Sequence, residues 1–373
     1  MTSTQFTAIP ITFTEESEDD GGNGSSIIGV VVFIIIAILG IMGNGLVLFV
    51  FYKVRELHVF TNILIAHQSI VDLLSSAFLF LNFLIPGIDL APLSVHHYSL
   101  ANFICKILVN EYLYWTLLKV STTNLVFITI ERYLAVVHPI KYRKTASKRV
   151  AISVCVLAWI LSAIINLYFP LTYHVSEAGE CTSDSLKRGS SGRYVIALVT
   201  VMTTLVLPVA IMLYVYMAIV WKLRPVKSEK PSGGAKLGAE MSSSGNTSLQ
   251  LMGHSADDRS QQRPPEKKTA GFRERGRRNV LITLFIVSLT YTICWTPDMV
   301  LYFHHNVITP HDWSDPFHQL ALFLAVSNVC VNPIIYTFKY KSFQKGLKQL
   351  FKKSTDKSGQ KSATAPTSTT GIV

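Results

Sequence analysis

The chain has 373 residues, 49% of them apolar and only 15% charged, with a formal net charge of +11. A water-soluble chain of this length carries nearer about a quarter charged residues, so an ordinary soluble globular protein is excluded. Residues 27–51 pass 25 positions without a charge, more than the roughly 20 that carry a helix across a bilayer core.

In chain order, residues 1–26 are polar and acidic, with Glu15, Glu16, Glu18, Asp19 and Asp20. They lack the basic start and short apolar core of a cleaved signal peptide, so they are expected to form an extracellular tail before an uncleaved anchor. Asn23-Gly24-Ser25 is an acceptor pattern that makes Asn23 a glycosylation candidate. After 27–51, further apolar stretches occupy 62–86, 103–137, 150–171, 194–223, 277–304 and 317–338. The expected fold is therefore all-α: a seven-transmembrane helix bundle over residues 27–338. Residues from about 224 to 276 are rich in Ser, Gly, Pro and Lys and read as a disordered cytoplasmic loop. Residues 339–353 read as a short amphipathic helix lying on the membrane. Residues 354–373 form a Ser- and Thr-rich tail, where phosphates would suit an arrestin-like partner.

Basic residues set the direction. With the N-terminus outside, the inner loops and tail hold 28 of the 34 Lys and Arg, and the outer segments hold only Lys187, Arg188 and Arg193. That asymmetry predicts an extracellular N-terminus and a cytoplasmic C-terminus in the plasma membrane. The positive charge then belongs to the cytoplasmic face, where it suits anionic headgroups and an acidic partner; nucleic acid is not implied. Of the five cysteines, Cys155, Cys294 and Cys330 fall inside spans. Cys105 and Cys181 both face the oxidising side, which predicts a disulfide pinning the loop of Cys181 over the bundle.

Polar groups inside a span are costly unless paired, so each is a candidate for function. Asp72 lies midway along the second span, Ser121 in the third, and Asn328 and Asn332 share one face of the seventh. A carboxylate facing hydroxyl and amide oxygens suits a small hard cation such as Na⁺; the alternative is a satisfied network that packs helices. Pro208, Pro297 and Pro333 interrupt the last three spans and are expected to kink them. Glu131-Arg132-Tyr133 closes the third span at its inner end, where Arg132 either snorkels to headgroups or pairs with Glu131 at rest.

In combination these features resemble the rhodopsin-type (class A) G-protein-coupled receptors over about residues 27–353. The resemblance rests on Gly43-Asn44, Asp72, Cys105, Glu131-Arg132-Tyr133, Trp159, Pro208 with Tyr216, Cys294-Trp295-Thr296-Pro297, Asn332-Pro333-Ile334-Ile335-Tyr336 and Phe343. It implies a sodium pocket at Asp72, Ser121, Asn328 and Asn332, with Na⁺ as an allosteric ion. It implies that Trp295 moves beneath a ligand, and that Arg132, Tyr216 and Tyr336 rearrange to admit a heterotrimeric G protein. Four departures stand out. Gln68-Ser69 replaces the usual Leu-Ala before Asp72. Cys105 precedes Arg132 by 27 residues where 25 is common, so two residues must be absorbed at the top of the third span. Tyr291 stands where Phe is usual. Arg277 occupies a position where some members carry an acid.

For the ligand, the third span has no Asp where amine receptors hold an ammonium; Tyr114 aligns there. The seventh has no Lys before Lys339, which disfavours a retinal protein. The outer half offers Asn82, Glu111, Tyr114, Trp115, Lys119, Asp298, Tyr302, His304, His305, His318 and Gln319. This mixed polar and aromatic set suits a peptide, and the third-span stretch resembles neuropeptide-type members. Glu111 and Lys119 are read either as ligand partners or as members of internal ion pairs. A non-amine small molecule or lipid is the alternative ligand. A multi-span transporter is the alternative class, although no inverted repeat supports it. No nucleophile–base pair or metal motif points to an enzyme, and no cofactor is expected beyond the ion.

Overall fold

A computed structural model of the chain describes residues 23–54, 59–84, 90–183, 191–223, 266–308, 316–341 and 343–350. Residues 23–27, 82–84, 91, 266–280 and 316 are described by their backbone alone. The chain forms α1 (Asn23–Lys53), α2 (Phe60–Leu84), α3 (Ala91–His96), α4 (Tyr98–Ile104) and α5 (Tyr112–Val137). Next come α6 (Pro139–Thr145), α7 (Lys148–Ile165) and α8 (Tyr168–Thr172), then a hairpin of β1 (Tyr173–Val175) and β2 (Cys181–Ser183). The order closes with α9 (Ser191–Val201), α10 (Leu207–Leu223), α11 (Glu266–Val307), α12 (Pro316–Lys339) and a last helix, α13, over 343–350.

Among the described residues, seven helical stretches are long and apolar enough to cross a membrane: Ile28–Lys53, Phe60–Leu81, Tyr98–Val137, Lys148–Thr172, Ser191–Leu223, Leu281–Val307 and Phe317–Lys339. In chain order they are the first to seventh spans. Helices are the form available here because lipid offers no partner to a free backbone N–H or C=O. Large apolar side chains such as Ile35, Leu39, Met42 and Phe49 stay exposed on the outside of the first span. The interior is filled instead by Leu64, Ile65, Leu79, Ile128, Leu284 and Tyr336, each almost fully buried. Polar side chains point inward with them, Asn44, Asp72, Ser75 and Asn124 having no exposed surface.

Three boundaries differ from the sequence expectation. The first helix starts at Asn23, inside the segment read as tail, because helix continues from the apolar run once that run is nucleated; the side chain of the glycosylation candidate lies outside the described residues. The sixth-span helix starts at Glu266, so residues 266–276 are helical where a disordered loop was expected. At about 1.5 Å per residue its 42 residues reach ~63 Å, twice a bilayer core. The third span starts at Tyr98 instead of 103. Residues 224–265 and the tail from 351 lie outside the described residues, as does the side chain of Arg277.

The two surplus residues at the top of the third span have a visible destination. Cys105–Val109 is a π-helical turn, which holds more residues than an α turn. After it the helix breaks at Asn110 and Glu111, and Glu111 has φ 60° and ψ 23°, a left-handed conformation rare for a side chain of this kind. Asn110 Oδ1 accepts from the Tyr112 N–H at 3.0 Å and so caps the restart, while Trp115 Nε1 donates to Glu111 Oε2 at 3.1 Å. The irregular stretch therefore begins at Cys105, whose disulfide with Cys181 (Cα–Cα 5.5 Å) ties the β1–β2 hairpin to this end of the bundle. The strands pair antiparallel with Val175 opposite Cys181, and Gly179 turns the chain between them at φ 79°.

Two prolines free a carbonyl that a neighbouring span then satisfies. A proline lacks the N–H that would bond the residue four back. Pro333 frees Val329 O, which accepts from Asn44 Nδ2 at 2.9 Å. Pro208 follows the π-helical turn Met202–Val206 and frees Thr204 O, which accepts from the Tyr291 hydroxyl. The first bond joins the first span to the seventh; the second joins the fifth to the sixth.

Close approach of the first two spans depends on Gly40. A Cβ there would overlap Ser76, with Ser76 Cβ only 2.9 Å away, whereas at Gly45 nothing lies within 4 Å. Gly40→Leu is expected to destabilise the protein by about 1–3 kcal/mol through overpacking, and Gly45→Leu to be tolerated. The thermal midpoints of the two detergent-purified variants check this, and equal midpoints would contradict it.

Candidate functional site

At the hairpin end the bundle encloses a cavity of about 100 Å³. Trp115, Leu118 and Lys119 contribute from the third span, Thr200 and Thr204 from the fifth, and Trp295, Asp298 and Tyr302 from the sixth. His318 and Leu322 close it from the seventh, and Tyr173 from the hairpin. Of the sequence candidates, Trp115, Lys119, Asp298, Tyr302, His305 and His318 line it. Glu111, Tyr114, His304 and Gln319 do not. Tyr114 is buried beside Trp115, with ring centroids 5.8 Å apart. The side chain of Asn82 lies outside the described residues.

The lining charges are unequally matched. Lys119, 6% exposed, donates to Thr203 Oγ1 at 3.1 Å and to Thr204 Oγ1. It does not pair with Glu111, whose partner is Trp115. Arg193 donates to Asn306 Oδ1 at 3.1 Å and to His305 O at 3.2 Å. Asp298, 5% exposed, makes no hydrogen bond or ion pair among the described residues. A buried, unmatched carboxylate is costly and favours a partner that brings a positive charge. Arg193, Asn166 and Asn306 also line the cavity and were not among the ligand candidates from the sequence, because no local spacing links residues of separate spans and loops.

Below the cavity, Tyr291 connects three spans. Its hydroxyl donates to Thr204 O and lies 3.1 Å from Thr122 Oγ1. Its ring packs 6.1 Å from that of Trp295. The residue that departs from the family pattern is therefore the one that satisfies the carbonyl freed by Pro208.

Asp72 sits deeper, with no exposed surface. Its Oδ1 accepts from Ser121 Oγ at 2.9 Å and Gln68 Nε2 at 3.1 Å; its Oδ2 accepts from Asn332 Nδ2 at 2.9 Å and Gln68 Nε2 at 3.3 Å. Gln68 Nε2 also donates to Ser121 Oγ. Asn328, grouped with these residues from the sequence, makes no hydrogen bond to them among the described residues and is replaced by Gln68. Three donor groups, two amides and a hydroxyl, surround the carboxylate, and the Gln68 NH₂ shares its two hydrogens among Oδ1, Oδ2 and Ser121 Oγ. This set does not fit the shell expected for Na⁺, which needs the carboxylate lone pairs free. A polar residue four before Asp72, on the same helix face, was the signal in the sequence.

At the basic end, Glu131 pairs with Arg132 and also accepts from Thr61 Oγ1 at 3.0 Å and from the Tyr142 hydroxyl. Arg132 donates to Thr61 as well. Burial, reinforced by the facing Glu131 carboxylate, raises the Tyr142 hydroxyl above its ordinary range, so it remains a donor at neutral pH. Tyr133 packs instead against His138, with ring centroids 5.7 Å apart. Tyr216 bonds Ser288 Oγ at 3.2 Å, and the hydroxyl of Tyr336 and indole N–H of Trp295 have no hydrogen-bond partner among the described residues. Arg132, Tyr216 and Tyr336 are thus not bonded to one another in this conformation.

Seven spans, a hairpin-covered cavity and an arginine held at the opposite end define a class of membrane receptor. Residues 43–336 match the family described as 7 transmembrane receptor (rhodopsin family), and the chain belongs to that family of signalling receptors, which are not enzymes. Somatostatin receptor type 1 of Rattus norvegicus is 24% identical over 344 residues, covering 88% of this chain and 73% of that receptor. Galanin receptor 2b of Danio rerio is 26% identical over 347 residues, covering 91% and 78%. The Tachykinin-like peptides receptor 86C of Drosophila melanogaster is 26% identical over 329 residues, covering 84% and 56%.

Tyr291→Phe keeps the ring and removes the donor, leaving Thr204 O without its partner. The expected cost is about 1–3 kcal/mol for an orphaned buried acceptor, read as a lower thermal midpoint. An unchanged midpoint would show that Thr204 O finds another donor.

Proposed function

We propose that the protein is a peptide-activated receptor that drives nucleotide exchange on a heterotrimeric G protein. In this reading the N-terminus and the hairpin end are extracellular, and the basic end meets the cytoplasm. The single observation that carries the ligand class is Asp298, an unmatched carboxylate inside a cavity that also presents Lys119, Arg193 and aromatic faces. The cavity volume accommodates one side chain or terminus, so the rest of a peptide would lie in the mouth beneath the hairpin. A basic group on the ligand pairs with Asp298, and the peptide backbone takes hydrogen bonds from the polar lining. The relatives named for somatostatin, galanin and tachykinin-like peptides support the same class.

The path from cavity to cytoplasm runs through Trp295 and Tyr291 to the proline-interrupted sixth span. Trp295 and Tyr336 hold buried polar atoms without hydrogen-bond partners among the described residues, and such groups are costly in one conformation and available to be satisfied in another. Tyr216 and Tyr336 are then the groups that meet Arg132 once it leaves Glu131. The basic sequences at the end of α10 and the start of α11 are the segments that would meet the G protein. Phosphates on the Ser- and Thr-rich tail would bring an arrestin-like partner.

A peptide-library screen for G-protein activation in transfected cells tests the reading, and hits are expected to carry a basic group. Asp298→Asn should lower the potency of such a hit on the order of 10-fold or more, the scale of a lost buried charge pair. Arg132→Ala should abolish agonist-driven nucleotide exchange while surface expression stays normal; unchanged exchange would remove the G-protein assignment. A potency unaffected by Asp298→Asn would move the basic group elsewhere.

A further inference from the structure

We propose that the Gln68 side-chain amide takes the place of a monovalent cation at Asp72, so that the receptor does not bind Na⁺ at this site. The first argument is position. Gln68 Nε2 lies 3.1 Å from one carboxylate oxygen and 3.3 Å from the other, and it also reaches Ser121 Oγ. It therefore bridges the same three oxygens that a cation bound between the second and third spans would use. Asn332 adds a second amide donor to Oδ2, and Ser121 donates its own proton to Oδ1. Among the described residues, every hydrogen-bond partner of the carboxylate is an N–H or O–H donor.

The second argument is direction. An amide can be turned end for end, so the donor at Asp72 has to be established from the network. The Trp159 indole N–H can only donate, and it reaches His67 Nε2 at 3.0 Å. His67 Nε2 is therefore an acceptor, and the ring proton sits on Nδ1. That proton is donated to Asn124 Oδ1 at 3.0 Å. Asn124 must then present its NH₂, which donates to Leu64 O at 3.1 Å and to Gln68 Oε1 at 2.8 Å. Gln68 is left with its NH₂ toward Asp72. One indole in the fourth span thus orients a chain of donors through the second and third spans to the carboxylate. A rotated Gln68 would turn its oxygen toward the carboxylate and its NH₂ toward that of Asn124, stripping two contacts from Asp72, with Gln68, Asp72 and Asn124 each at most 1% exposed. Gln68 is also a departure from the family pattern, where an apolar leucine leaves the carboxylate free.

The test uses the full-length receptor in detergent and needs neither ligand nor G protein, so its failure is separate from failure of the receptor reading. Thermal midpoints are compared in NaCl, KCl and choline chloride at equal ionic strength. For the natural chain they should agree within about 1 °C, the result expected when Na⁺ has no native site. Gln68→Leu removes both N–H donors and frees three oxygen positions, while Asn124 keeps Leu64 O as an acceptor. Its midpoint should rise by about 3 °C in NaCl over choline chloride once Na⁺ is tenfold above its dissociation constant, and Gln68→Leu/Asp72→Asn should lose the rise. Gln68→Met serves if the leucine variant does not fold. A sodium-selective rise in the natural chain overturns the proposal, and so does a folded Gln68 variant that gains none.

Discussion

A carboxylate halfway along a lipid-embedded helix must be neutralised, paired or surrounded by donors, and the centre of this bundle is arranged around that requirement at Asp72. The second span carries it, the third sends Ser121, the seventh sends Asn332, and Gln68 folds back from the same helix one turn away. Asn124, His67 and Trp159 then join as the groups that keep Gln68 facing the right way. The hydrogen bonds of one acid join three of the seven spans, and the chain through Asn124 and His67 extends the network to Trp159 in the fourth. Apolar packing alone would leave those helices free to slide, because lipid tails are as apolar as the core they compete with.

The prolines obey the same accounting of backbone groups. A proline inside a span is less costly where the carbonyl it frees finds a donor, and two of the three have one from another span. Asn44 serves Val329 and Tyr291 serves Thr204. Tyr291 is more than a local repair. It lies between Trp295, which lines the cavity, and the π-helical turn of the fifth span, whose Thr204 also holds Lys119. A ligand that alters Lys119 or Trp295 therefore acts on the bonds that join the third, fifth and sixth spans.

The seven spans were legible in the sequence because each is an apolar run whose length is set by the bilayer. The disulfide was legible from the side on which Cys105 and Cys181 fall, and the surplus of two residues before Arg132 announced an irregularity at the top of the third span. Its form, a π-helical turn followed by Glu111 at positive φ, was not legible, because nothing in a local pattern selects how a surplus is absorbed. The ligand candidates were partly found. Lys119 and Asp298 reach the cavity, whereas Glu111 and Tyr114 turn away after the break at Asn110.

Asp72 separates the two kinds of knowledge. Composition, run length and the ordered motifs by themselves determined a seven-helix receptor with a costly acid in its second span, since each of those signals is local along the chain or independent of what faces it. Gln68 was visible only as an odd residue four before that acid. Whether its amide faces the carboxylate, and with which end, depends on Asn124 and Trp159 arriving from other spans and on the neighbouring His67 that links them. Hydrogen-bond direction is a property of neighbours in space, and only the packed bundle decided it.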